Sequence, residues 1–207
     1  MRVRDPRAAR LSRVPTTIVL VRHGETDWNR ESRFQGHADT CLNDAGRAQV
    51  ADLAHALEGT DFSAVYSSPL ERAAETAKLI ASKLGLEVRL DDALMEVDVG
   101  SWSGLTRSEI ETRYADGFAR WCEYGHGWED GETYEELGLR VVAGLQRIAQ
   151  LHPDQHVLVV THGGPIRSAL AAADRVPFGE ARRSIAVLEN CATVRIVVRD
   201  RVLERVD

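Results

Sequence analysis

Two histidines stand in matching settings. Val21-Arg22-His23-Gly24 closes one β-branched run and Val160-Thr161-His162-Gly163 closes another. A strand that ends in this way delivers an imidazole at its carboxyl end, the place where open α/β sheets hold ligands. Two such strands, parallel in one sheet, can bring both imidazoles to one pocket. Imidazole is a competent nucleophile for covalent catalysis. Arg22 precedes His23, and Asn29 and Gln35 follow in the loop RHGETDWNRESRFQG. Ser68-Pro69-Leu70-Glu71-Arg72 sets a second arginine at the start of a helix. The guanidinium fork matches phosphate oxygens, and helix N-termini attract anions. Histidine, amide, arginines and helix start together describe a phosphate pocket.

The elements that must position these residues are legible as alternating apolar runs and helical patterns. Thr17–Val21 lacks polar alternation, as a strand covered on both faces does. Asn43 caps a helix to Glu58 with an apolar stripe at Ala48, Ala51, Leu53, Ala54 and Leu57. Ala64–Ser67 is a second strand. Ser68-Pro69 reads as cap and first-turn proline of a helix that runs to Leu84 and stops at Gly85. Val88–Leu90 is a short strand. Thr106 with Glu109 and Thr133 with Glu136 are capping boxes, the second opening a helix to about Leu151. His156–Thr161 is a buried strand, followed by a Gly163-Gly164-Pro165 turn into a helix ending near Ala173. Ile185–Leu188 and Val194–Val198 read as late strands, and Val202–Val206 adds an edge hairpin. Strand–helix alternation predicts a three-layer α/β/α sandwich with a mostly parallel sheet. Residues 102–134 read as a helical insertion holding seven of the twelve aromatics. Residues 16–207 form one domain in this reading.

Composition narrows the function. The 207 residues are 43% apolar and 28% charged, as in an ordinary globular chain. The longest apolar run, Ala169–Ala173, is far short of the ~18 residues a membrane helix needs, so no membrane role is expected. Cys41, Cys122 and Cys191 are scattered and odd in number, which fits a reducing cytoplasm. Residues 1–15 carry five arginines against Asp5, a basic arm expected to be disordered. With the whole chain at −6, the remainder therefore bears −10. A basic patch on the folded part is what nucleic-acid binding requires, and it is missing. His152 and His156 flank Pro153 and share no helix face. No H-E-x-x-H, G-x-G-x-x-G or Walker A pattern occurs. Neither a metal site nor a cofactor is called for. His37, His55 and His126 read as surface or structural residues, and Asp91, Asp92 and Asp98 as solvated loop.

With these residues in view, the chain resembles the histidine phosphatase superfamily, in the branch that contains cofactor-dependent phosphoglycerate mutase and related phosphatases. The likeness is carried by Arg22-His23-Gly24-Glu25-Thr26 with Trp28-Asn29, Arg33-Phe34-Gln35-Gly36, Ser67-Ser68-Pro69 with Arg72 and Thr76, Glu96 ahead of Gly100-Ser101-Trp102-Ser103-Gly104, Gly131-Glu132-Thr133, and His162-Gly163-Gly164. It spans about Thr17 to Val198. The resemblance implies that His23 is the nucleophile that becomes phosphorylated. It implies that Arg22, Arg72 and His162 grip the phosphoryl oxygens with Asn29 assisting, that Glu96 is the proton donor, and that Gln35 lines the substrate side. It also implies one antiparallel strand at the edge of the sheet.

The expected activity is hydrolysis of a small phosphomonoester without a metal. The alternatives are a phosphoglycerate mutase and a phosphate-binding module without catalysis. Residues 98–136 hold ten acidic residues and three arginines, a net −7. A mutase substrate with a carboxylate and two phosphates wants the opposite sign there. The 45 residues after His162 also leave little room for the closing tail expected of mutases. Tyr114, Phe118 and Trp121, continued by Tyr124 and Trp128, either roof the pocket and select a flat substrate or seat the insertion on the core. The late edge strand offers a surface for a homodimer.

Overall fold

A computed structural model describes residues 14–206 and, within them, every side chain but that of Tyr124. The basic arm therefore lies outside the described residues except for Val14 and Pro15. Among the described residues six strands form one sheet: β1 (Thr16–Arg22), β2 (Ala64–Ser67), β3 (Val88–Leu90), β4 (His156–Thr161), β5 (Thr193–Arg199) and β6 (Val202–Val206). Their order is β3-β2-β4-β1-β5-β6. The three pairings among β1 to β4 are parallel. β5 runs antiparallel to β1, and β6 antiparallel to β5. The single antiparallel edge strand implied by the family resemblance is thus a two-stranded antiparallel ribbon.

Among the described residues eight α-helices accompany the sheet: α1 (Asp27–Arg30), α2 (Asp44–Ala56), α3 (Glu71–Leu84), α4 (Arg107–Arg113), α5 (Ala115–Tyr124), α6 (Tyr134–Leu151), α7 (Gly163–Asp174) and α8 (Phe178–Ser184). Alternation along the buried strands divides the core. Ile18, Leu20, Val157 and Val159 face Leu137, Val141, Leu145 and Ile148 of α6 and Ile166 and Leu170 of α7. Val19, Val21, Leu158 and Val160 face Val50 of α2 and Ala73, Ala77 and Ile80 of α3. Helices on both faces make the three-layer sandwich, and the apolar strands are explained by burial on both sides.

Asn43 Oδ1 accepts from the Gly46 amide at 2.8 Å, as a cap should. Both capping boxes form, and α3 stops at Gly85 in the left-handed region. Three readings change. Ser68-Pro69 does not open α3, whose cap is Leu70 without a side-chain bond; the Ser68 hydroxyl is engaged elsewhere. Ile185–Leu188 is not a strand. Both sides of β1 are taken by β4 and β5, and the Leu188 carbonyl accepts instead from Arg22 Nη1 at 2.6 Å. The loop after His23 contains α1, held by a capping box of Thr26 and Asn29.

Candidate active site

β1 and β4 are immediate parallel neighbours, with Arg22 opposite Thr161. His23 and His162 therefore leave the sheet side by side. The His23 amide donates to the Thr161 carbonyl at 3.0 Å. The ring centroids are 5.1 Å apart and the planes are inclined by 59°. Both imidazoles are buried. His23 Nδ1 lies 2.7 Å from the Gly24 carbonyl, which can only accept. Nδ1 therefore carries the proton and Nε2 keeps a free lone pair. Burial, then Arg72 and Arg22, hold His23 well below the ordinary histidine range, so it is neutral. Gly24 does not have a positive φ. A Cβ there would come within 2.8 Å of the Gly46 carbonyl and 2.9 Å of Val50. The glycine is needed for close approach to α2 and not for a tight turn.

Arg72 comes from the first turn of α3 and is buried. Its Nη1 donates to the Ala38 carbonyl at 2.8 Å and its Nη2 to the Gly36 carbonyl at 2.9 Å. Those bonds fix the guanidinium plane and leave Nε buried without a protein acceptor. Burial lowers the Arg72 pKa to about 10, so the group is still a cation at neutral pH. Arg22 is tied by Nη1 to Leu188, and its Nε is likewise buried and unpaired. His162 Nε2 lies 2.8 Å from Ser68 Oγ. That oxygen accepts from the Leu70 amide at 3.2 Å, and its proton points to His162 Nε2 when His162 is protonated on Nδ1, an atom buried with no protein partner. Burial and Arg72 keep this ring neutral as well, so it can donate a hydrogen bond but is not a cation. Asn29 Oδ1 accepts from the Thr26 amide at 3.1 Å, which orients its amide group. Asn190 Nδ2 binds the His23 carbonyl at 2.8 Å and Asn29 Oδ1 at 3.4 Å.

A cleft of about 310 Å³ is lined by Arg22, His23, Asn29, Gln35, Arg72 and Glu96, among others. Glu96 Oε1 accepts from its neighbour's amide, Val97, at 2.9 Å and from the Gly164 amide at 3.1 Å. The carboxylate is therefore held at the N-terminus of α7. A Cβ on Gly164 would overlap Glu96 Oε1, so this position must be glycine for the carboxylate to sit there. Gln35 lines the cleft and accepts from Thr40 Oγ1 at 2.7 Å. An unpaired buried donor costs about 1–3 kcal/mol. Arg22 Nε and Arg72 Nε, on residues that line the cleft with His23, and His162 Nδ1, on the ring beside His23, are unpaired donors suited to receive an anion.

His162 is buried beside His23, with ring centroids 5.1 Å apart, and the other six residues singled out from the sequence line this cleft. The aromatic roof does not. Trp102, Trp121 and Trp128 are buried in the main core, and Phe118 packs against it. Tyr114 lies by a separate surface depression. The aromatics that reach the cleft are Trp28, Phe34 and Tyr134. The insertion contributes Tyr134 directly and backs Phe34, which packs edge-on against Trp102 at 5.8 Å and Trp121 at 5.5 Å. Ser68, Asn190 and Arg167 also belong to the site and were not singled out. Ser68 and its partner are 94 residues apart, and no local pattern announces such a bond.

The model of the histidine phosphatase superfamily (branch 1) matches residues 18–205. The chain belongs to this superfamily. Among its relatives, phosphoserine phosphatase 1 of Hydrogenobacter thermophilus is 37% identical over 157 residues, covering 75% of this chain and 74% of the other. Phosphoglycerate mutase-like protein 4 of Arabidopsis thaliana is 43% identical over 156 residues, covering 73% and 68%. The solved structure of a mycobacterial glucosyl-3-phosphoglycerate phosphatase complexed with VO3 superposes with a TM-score of 0.79 at 30% identity, covering 87% and 90%. As a histidine phosphatase with phosphatase relatives, the chain is a phosphomonoester hydrolase. Among the described residues no helix is long and apolar enough to cross a membrane.

Proposed function

We propose that this histidine phosphatase turns over through a phosphohistidine on His23. The observation that carries the reading is the set of buried, unpaired donors on Arg22, Arg72 and His162, residues of the cleft and of the histidine pair that contain His23 with its free Nε2. His23 Nε2 attacks the phosphorus, and the bond to the ester oxygen breaks. Arg22 Nε, Arg72 Nε and His162 Nδ1 take the phosphoryl oxygens, with the Asn29 amide assisting. Phosphoryl transfer asks mainly for such positioning and charge stabilisation. Glu96 gives its proton to the departing alkoxide. As a carboxylate it then takes a proton from the attacking water, which displaces His23 and releases phosphate. The Gly24 carbonyl holds the Nδ1 proton throughout and stabilises the positive charge of the phosphorylated ring.

The chain needs no metal in this reading, since the arginines supply the cationic charge. A small phosphorylated metabolite suits the cleft volume, and cytoplasmic location suits the three free thiols. Hydrolysis is favoured over a mutase reaction because two of the cations near the cleft, Arg33 and Arg140, are already neutralised by acids. Arg33 is bonded to Glu31 and Glu109, and Arg140 to Glu132. Residues 16–207 act as one catalytic domain.

The test uses p-nitrophenyl phosphate with phosphate release as readout. His23→Ala abolishes turnover, wild-type enzyme quenched in alkali carries acid-labile phosphate, and EDTA leaves the rate unchanged. Full activity in His23→Ala removes the nucleophile assignment, and loss of activity in EDTA removes metal independence.

A further inference from the structure

One cation at the cleft has no task in this phosphoryl transfer. Arg167 stands one turn into α7, beyond Gly163 and Gly164, and lines the same cleft. Its Nε is buried and unpaired. Among the described residues no hydrogen bond or ion pair holds its guanidinium. The other arginines lining the cleft are tethered: Arg22 to Leu188, Arg72 to Gly36 and Ala38, and Arg33 to Glu31, Gly104 and Glu109.

Arg167 follows Gly164 by three residues on α7, and the Gly164 amide binds the carboxylate of Glu96, the proton donor in this reading. Arg167, Glu96 and Tyr134 line the same cleft. Burial keeps the Tyr134 hydroxyl protonated.

We propose that Arg167 binds a carboxylate carried by the leaving-group half of the substrate, so that the enzyme takes phosphomonoesters of small carboxylic acids. A planar guanidinium fork matches a carboxylate in two parallel bonds. One uncommitted cation near Glu96 suits a monoanion and not a second phosphate. The inference rests on the phosphatase reading.

O-phosphoserine and O-phosphoethanolamine differ by a single carboxylate and serve as the probe pair. Wild-type kcat/KM favours O-phosphoserine. In Arg167→Met the ratio between the two collapses by about 10- to 100-fold, the scale of a lost charge-assisted pair. Arg167→Lys, which keeps the charge without the fork, gives an intermediate ratio. Turnover of both esters with no wild-type preference overturns the subsite, as does a ratio unchanged in the variants. Failure to turn over either ester or p-nitrophenyl phosphate overturns the phosphatase reading, and the subsite falls with it.

Discussion

Ser68 Oγ stands 2.8 Å from His162 Nε2, accepts from the Leu70 amide, and has its own proton to give to the ring. That arrangement selects the tautomer of His162 that presents Nδ1–H to the phosphoryl group. Ser68→Ala removes the selection without adding bulk. Its kcat/KM falls about 10-fold, the effect of roughly 1.4 kcal/mol in the transition state. Nitrogen-15 shifts of His162 report the cause directly. Wild type shows one tautomer with Nδ1 protonated, and Ser68→Ala shows a mixture. A single unchanged tautomer in the variant would falsify the assignment.

Glu96 depends on a backbone position. The Gly164 amide binds its carboxylate, and any side chain at 164 occupies the same space. If Glu96 protonates the leaving group, Glu96→Gln loses about 10²- to 10⁴-fold on alkyl phosphates. It loses far less on p-nitrophenyl phosphate, whose leaving group needs no proton. Gly164→Ala moves the carboxylate away and shows the same dependence on leaving group. Equal losses on both ester types in either variant show that Glu96 is not the acid.

The sheet and the clasp were legible because they depend on local signals. Apolar runs marked β1 and β4, and capping boxes at Thr106 and Thr133 marked helix starts. Motif order placed Arg22, His23, Arg72, Glu96 and His162. What escaped depends on distant partners. Ser68 looked like a cap because Ser-Pro is common there, yet its hydroxyl serves a histidine that follows another strand. Ile185–Leu188 has the pattern of a strand, but β1 has no open side for it. Arg167 lies on a helix whose residues are mostly buried, and nothing local distinguishes it from an arginine reaching solvent.

Two buried neutral histidines make stability depend on pH. His23 and His162 have folded-state pKa values well below the unfolded value near 6.5. Below pH 6.5 the unfolded chain binds protons that the folded chain does not, so stability is full above that pH and falls as the pH drops. Each histidine contributes about 1.4 kcal/mol per pH unit in that window. His126 is also lowered, by burial, and contributes in the same direction. Urea unfolding at pH 7.5 and 5.5 measures the drop. His23→Asn shows a smaller drop than wild type, while the His126 share is common to both chains. An identical drop in the two means His23 is not one of the sources.

Trp102 and Trp121 of the insertion are props for the cleft wall. Trp102 is buried, packs edge-on to Trp128 at 5.4 Å, and supports Phe34 from behind. Trp102→Ala empties a large core site and costs about 3–5 kcal/mol. At this chain length that lowers the melting temperature by roughly 6–20 °C. Trp102→Phe keeps an aromatic surface and a folded protein while letting Phe34 shift. A prop and a substrate sensor respond differently to substitution. A residue that touches substrate changes selectivity between aromatic and polyanionic phosphomonoesters. A residue that only backs Phe34 shifts both kcat/KM values by a similar factor. With Trp102 in the core and Phe34 on the cleft, Trp102→Phe shifts both together, and Phe34→Leu changes the ratio between them.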